Sequence, residues 1–273
     1  MLPRGVIRRL NDAIASGKIA PDSAWRLCYS RISEDMRAYR NGISLSSLQL
    51  PPTNSFISQI SPENVSKNGL FGLPLAVKDN FCTDADQFKV STTCASFSLK
   101  EFRPSYSAHV VQLLLESGFS LVGKTNMDEF AMGCGSVDAP LSGPVVNPWS
   151  RLTPDGRDRI AGGSSGGSAA AVSAGLCVGS IASDTGGSCR LPSAYCGVTG
   201  LKPTYGLLSR HGLIALANCF DTPSLISLEV TDVADMLCAC LDTNQPVCDS
   251  TLLNLDTNDL TLFRNELKNI SCS

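Results

Sequence analysis

The sequence predicts an α/β fold, and three observations carry that prediction. Short apolar runs at 73–77, 119–123 and 177–182 read as buried strands, each too brief for a helix. Around them lie amphipathic or small-residue stretches of helical length, at 108–117, 167–176 and 231–241. The chain has 273 residues, 43% of them hydrophobic and 17% charged, a balance that can build an ordinary globular core.

Residues 2–16 and 21–39 read as two amphipathic helices, the second with Pro21 in its first turn and Asp22 near its start. Arg4, Arg8 and Arg9 precede the first acid, Asp12; they form either an organelle-targeting signal or one basic helix face, and the residues favour the helix. The stretch 41–68, rich in Ser, Pro and Asn without a sustained period, reads as a connecting loop.

The strand at 73–77 is closed by Lys78, which leads into Asp79 and Asn80. A lysine there either snorkels to water or lies desolvated, its ammonium form disfavoured and its amine able to take a proton. The strand at 119–123 ends at Lys124, which reads as charged scaffolding, and a Gly/Pro loop then runs to about 159. Residues 194–212 read as strand and turn, and 231–241 as a helix capped by Thr231. From 242 the chain is polar, with weak apolar periodicity at 252–263. Three parts result: N-terminal helices and loop over 1–68, a core over 69–241, and a tail over 242–273.

The chain is organised around 161–192, where two Gly-Gly-Ser turns, at Ser164 and Ser188, bracket the predicted helix and strand. Paired glycines permit positive φ and close backbone approach, so each hydroxyl can face a reactant from the edge of a rigid element. Phosphate binding is disfavoured, because no Gly-Lys-Ser/Thr follows and no Gly-x-Gly-x-x-Gly opens a βαβ unit.

Composition excludes other classes. A net charge of −3 argues against broad capture of nucleic acid, and no apolar run approaches the roughly 20 residues of a membrane span. The 12 cysteines form no C-x-x-C pair, Cys238 and Cys240 are wrongly spaced for zinc, and only two histidines accompany them; no metal site is expected.

If Ser188 is a nucleophile it needs a base. Neither His109 nor His211 sits in a motif, whereas Lys78, relayed through Ser164, supplies the parts of a lysine-based relay. Such a lysine must be neutral, its pKa lowered by burial from about 10.4. The run from Asp184 through Thr185, Gly186 and Gly187 to Ser188 offers consecutive N–H groups for an oxyanion, and Asp184 can pair with Arg190 to hold the turn.

Gly72-Leu-Pro-Leu-Ala-Val-Lys-Asp-Asn, Gly162-Gly-Ser-Ser-Gly-Gly-Ser and Asp184-Thr-Gly-Gly-Ser-Cys-Arg-Leu-Pro together resemble the amidase signature family. Met127-Asp-Glu-Phe-Ala-Met-Gly, Asn147-Pro-Trp and Gly200-Leu-Lys-Pro-Thr-Tyr-Gly resemble its branch of A subunits of glutamyl-tRNA(Gln) amidotransferases, and Lys78-Asp-Asn-Phe and Thr92-Thr-Cys-Ala-Ser look most like the mitochondrial form. The resemblance implies a mixed β-sheet core flanked by α-helices. It implies Ser188 as acyl-ester nucleophile, Ser164 as the bridging serine on a cis peptide and Lys78 as base. Thr185, Gly186, Gly187 and Gly133 would bind substrate and oxyanion, with Asp184, Arg190 and Ser165 as structural support.

It further implies glutamine hydrolysis in the mitochondrial matrix. Ammonia would pass to a B subunit, which contacts Glu-tRNA(Gln) and uses ATP and Mg²⁺, and a small C subunit would complete the heterotrimer; this chain needs no cofactor and no membrane. Family members run well past Ser273, so the C-terminal part of the fold is expected to be missing. The alternatives are a non-catalytic scaffold or fragment keeping the subunit interfaces, an amidase for another small amide, and a Gly-loop nucleotide binder.

Overall fold

A six-stranded sheet organises the chain, in the order β1-β3-β2-β4-β6-β5. The strands are β1 (Phe56–Gln59), β2 (Leu73–Lys78), β3 (Phe119–Thr125), β4 (Gly179–Asp184), β5 (Thr199–Leu201) and β6 (Thr222–Ser227). The computed structural model describes residues 5–42, 52–66, 71–150, 157, 159–241, 249–253 and 255–270. β2 runs parallel to β3 and β4, and the outer pairings β1–β3, β4–β6 and β5–β6 are antiparallel. The sheet is therefore mixed, as the family resemblance implies.

All residues of β2, β3, β4 and β6 are buried, which explains why the first two read as continuous apolar runs without alternation. The helices are α1 (Val6–Ala15), α2 (Ser23–Arg40), α3 (Pro62–Ser66), α4 (Ala85–Phe88), α5 (His109–Glu116), α6 (Gly166–Ser173), α7 (Arg190–Cys196), α8 (Val230–Cys240) and α9 (Thr257–Asn269). Helices α2, α5, α6 and α8 pack on the sheet, while α1 and α9 lie against α8. Trp25 of α2 is fully buried and donates its indole N–H to the Leu121 carbonyl at 3.2 Å, which fixes α2 on β3. α8 approaches β4 closely, and a Cβ at Gly179 would lie 2.6 Å from the Met236 sulfur.

Several expectations require correction. The segment 41–68 is not all loop: β1 and α3 lie within it, and 43–51 and 67–70 fall outside the described residues. β1 is short, but it opens on buried Phe56 and is followed by buried Ile60, and pairing with β3 supplies what its composition lacks. The strand expected at 177–182 is β4, two residues later, because its ladders with β2 and β6 hold a Ser- and Asp-containing segment that periodicity alone does not mark. Periodicity marks neither β6 nor α7. β6 begins Thr-Pro and is held by strands on both sides, while α7 carries Pro192 in its first turn, where the missing N–H costs nothing.

Thr231 does not cap α8. The cap position is Glu229, and the Thr231 hydroxyl is buried without a hydrogen-bond partner. The weak periodicity at 252–263 resolves as α9, capped by Asp256, whose carboxylate accepts from the Asn258 N–H at 2.7 Å. No helix of the described residues is long and apolar enough to cross a membrane.

Candidate active site

The central strands deliver the site. β2 ends at Lys78 and β4 ends at Asp184, side by side and parallel, so the turns after them emerge at the same edge of the sheet. The first Gly-Gly-Ser turn precedes α6 and the second joins β4 to α7. The Ser165 N–H donates to the Ser188 carbonyl at 3.1 Å, clamping the two turns together, and the Ser165 hydroxyl reaches the Ser183 carbonyl at 3.2 Å.

Lys78 does not snorkel to water. Its side chain is fully buried, and its Nζ lies 2.8 Å from the Ser164 hydroxyl and 2.9 Å from that of Ser183. The Gly163–Ser164 peptide is cis. Burial pushes the Lys78 ammonium down to about 7, and the carboxylates of Asp128 and Asp184 oppose that fall only in part. A large fraction of the amine is thus neutral near pH 7. Cys189, fully buried beside it, has its thiol pushed by burial up to about 12 and stays protonated.

Asp184 is the keystone of the second turn. Its carboxylate accepts from the N–H groups of Gly187, Cys189 and Arg190 at 2.8, 3.1 and 3.2 Å. The Arg190 guanidinium closes a two-pronged pair with it, at 3.0 and 2.9 Å. Burial alone would raise the Asp184 pKa, but the guanidinium and the N–H donors outweigh it and hold the carboxyl below its usual value.

The cluster expected to bind substrate is partly redistributed. Gly133, Thr185, Gly186, Gly187 and Ser188 all line one cavity of about 710 Å³, together with Gly163 and Arg190. The Gly187 N–H, however, is spent on Asp184, and the Thr185 hydroxyl donates to Asp221 at 2.5 Å. Among the described residues the N–H groups of Gly186 and Ser188 have no acceptor, and neither have those of Gly133 and Thr185, so these donors of the cavity wall remain open to an oxyanion. Gly187 has φ +129°, a conformation open essentially to glycine. Neither His109 nor His211 lines this cavity.

Sequence reasoning missed Asp128, Ser183 and Asn80. Asp128 is fully buried and accepts from the N–H groups of Ser136, Val137 and Asp138 at 2.9, 3.0 and 3.2 Å, holding the 133–138 loop at the cavity. A Cβ at Gly133 or Gly163 would collide with its carboxylate. Asn80 donates to the Ser183 hydroxyl at 2.9 Å, so Ser183 joins Asn80 to Lys78. Asn80 and Asp128 stand inside quoted motifs and Ser183 directly before one, but nothing in the residues themselves gave any of the three a role.

Lys124 is scaffolding, as its place at a strand end suggests. It is fully buried in an ion pair with Asp79 at 2.9 Å and also donates to the Phe81 carbonyl and the Thr92 hydroxyl. Among the described residues no group of three or more His, Cys, Asp or Glu side chains could hold a metal ion.

A sequence profile of the Amidase family matches residues 56–269. The A subunit of the mitochondrial glutamyl-tRNA(Gln) amidotransferase of Drosophila pseudoobscura pseudoobscura is 44% identical over 85% of this chain and 44% of its own length. That of Anopheles gambiae is 55% identical over 64% of this chain and 34% of its own. Among solved structures, the A subunit of the Thermotoga maritima glutamyl-tRNA(Gln) amidotransferase is 39% identical with a TM-score of 0.63, over 75% of this chain and 42% of that one. The native peptide amidase of Stenotrophomonas maltophilia is 28% identical with a TM-score of 0.71, over 91% of this chain and 50% of that one. The chain thus spans about half the length, or less, of the proteins it resembles.

Proposed function

The chain belongs to the amidase family, and from that premise we propose that it hydrolyses the side-chain amide of glutamine as the ammonia-supplying component of a glutamyl-tRNA(Gln) amidotransferase. One observation carries the reading: a fully buried lysine, its pKa near 7, bonded to a serine beside the cavity that holds Ser188.

In this reading neutral Lys78 takes the proton of the Ser164 hydroxyl as Ser164 takes that of Ser188. The Ser188 oxygen forms a bond to the amide carbon, and the carbonyl oxygen becomes an oxyanion facing the N–H groups of Gly186 and Ser188. Collapse breaks the C–N bond, and the proton held at Lys78 returns through Ser164 to the departing ammonia. Water, deprotonated by the same relay, then cleaves the acyl ester and restores Ser188. No cofactor enters these steps. The relay needs a base poised near the working pH, and burial of Lys78 provides that.

Ammonia would pass to a B subunit, which would hold Glu-tRNA(Gln), ATP and Mg²⁺, with a C subunit completing the heterotrimer. The names of the relatives favour a mitochondrial setting, and we place the activity in the matrix. The test is ammonia release from glutamine by this chain, alone and with the B and C subunits, against Ser188→Ala. The expected result is release that the substitution abolishes. Release from another small amide in place of glutamine would reassign the substrate. None in any setting, beside an active full-length relative, would reassign the chain as a scaffold that keeps the intersubunit contacts.

A further inference from the structure

A second groove, of about 740 Å³, shares no lining residue with the Ser188 cavity. Its floor includes Phe56 and Ile57 of β1 together with Val90 and Leu141, and its rim carries Arg40, Lys89, Lys100 and Arg103. An adjoining hollow of about 500 Å³ shares Met36, Arg40 and Gln59 with it and adds Arg37. Among the described residues no carboxylate lines either one. Lys89 has a loose, exposed partner in Asp86 at 3.8 Å, but Arg37, Arg40, Lys100 and Arg103 have no carboxylate partner among the described residues. Five cations, four of them unpaired among those residues, thus gather on one face of a chain whose net charge is −3.

The groove also presents a sheet edge. β1 is the terminal strand of the sheet, and the four consecutive residues Phe56, Ile57, Ser58 and Gln59 all line the groove, as happens when a strand shows its edge and not one face. The Ile60 N–H points inward, to the Val122 carbonyl at 3.0 Å, so alternation turns the Gln59 N–H and carbonyl outward. The Ser58 hydroxyl is buried there without a partner.

We propose that this groove takes an extended acidic segment of another polypeptide, which adds a strand beside β1 and sets its carboxylates against Arg37, Arg40, Lys100 and Arg103. Backbone pairing along an open edge supplies affinity in such complexes, and side chains at alternate positions supply selectivity. The apolar floor accepts the inward-facing side chains and the cationic rim the outward-facing ones. A single-stranded nucleic acid would match the charge, but it needs ring faces to stack on; Phe56 is 1% exposed, leaving Tyr39 as the one other ring among the described lining residues.

The test uses the whole chain and a fluorescein-labelled ten-residue peptide alternating Glu and Val, followed by fluorescence anisotropy. Saturable binding is expected, weakening as salt rises and becoming roughly tenfold weaker or worse in Arg40→Glu/Arg103→Glu. The same peptide N-methylated at alternate residues, which removes the N–H groups of one edge and leaves the protein untouched, should lose binding. Retained binding of the methylated peptide would overturn strand addition. Tighter binding of a ten-residue oligouridylate than of the peptide would overturn the choice of partner. No binding of the peptide, or binding indifferent to salt and to the double substitution, would overturn the site.

Discussion

In the proposed relay Lys78 is the residue on which the chemistry turns, and its burial has consequences of opposite kinds. With its pKa lowered to about 7, that relay requires the rate of ammonia release to rise with pH through that value, since only the free amine can accept a proton. A pH–rate profile that stays flat from 5.5 to 8.5 would remove Lys78 as the base. Lys78→Ala should lower the rate by on the order of 10²–10⁴, the usual worth of a positioned base, and Ser164→Ala should do the same if the proton passes through it. Asp184 works differently, through geometry. Asp184→Ala strips the acceptor from three backbone N–H groups and the partner from Arg190. It should cost about 3 kcal/mol of stability, measured by urea unfolding, most of it from the stranded buried donors because Arg190 is half exposed. Lys78, Ser164, Ser188, Asp184 and Arg190 were singled out from the sequence, because each is of a residue type that suggests a task where it stands. Asp128 also lies in a quoted motif but was not singled out, since a carboxylate reveals nothing until the N–H groups it collects, eight to ten positions later, are seen around it.

At the scale of elements, the loop carrying Gly133 meets the first Gly-Gly-Ser turn across Asp128, and neither side has room for a methyl group. Gly133→Ala should therefore impair glutamine turnover by more than its cost in stability, because the displaced carboxylate shifts the loop that lines the cavity. A variant with unchanged kcat and KM would show that the loop yields freely. Helices α1, α2, α5 and α8 stand within a few residues of where periodicity puts them, while α6, buried from Gly166 to Val172, shows no such period and was marked by its run of small residues. β1, β6 and α7 escaped because pairing and packing, and not composition, hold them. β4 starts later than expected for the same reason: its polar end is anchored by the ladder to β6.

At the scale of the whole molecule, the chain keeps many thiols protonated inside it. Burial pushes Cys94, Cys189, Cys196 and Cys240 each up to about 12, against about 8.5 in an unfolded chain. Their contribution to stability is complete below the unfolded value and is lost as pH rises through the folded one, because only the unfolded chain can release those protons between the two. Lys78 acts in the other sense, its depressed value favouring the folded state as pH climbs from about 7 towards 10.4, but it is one group against four. The urea midpoint should fall between pH 8.5 and 10.5, and a midpoint that rises would refute the balance. Under native conditions a thiol reagent should label the exposed Cys134 and Cys219 first, and the buried thiols only on unfolding.

Sequence alone determined the family and the α/β class and singled out Lys78, Ser164 and Ser188 as candidates, because glycine-paired serines and a strand-ending lysine are local patterns written in consecutive positions. Only the tertiary structure decided that Lys78 is buried and not snorkelled, that the Gly187 N–H is already taken, and that β1 is the terminal strand of the sheet, beside a groove lined by cations. Each of those depends on what distant segments place around a residue, and desolvation, hydrogen-bond allocation and strand order are properties of neighbours that the chain brings together only when it folds.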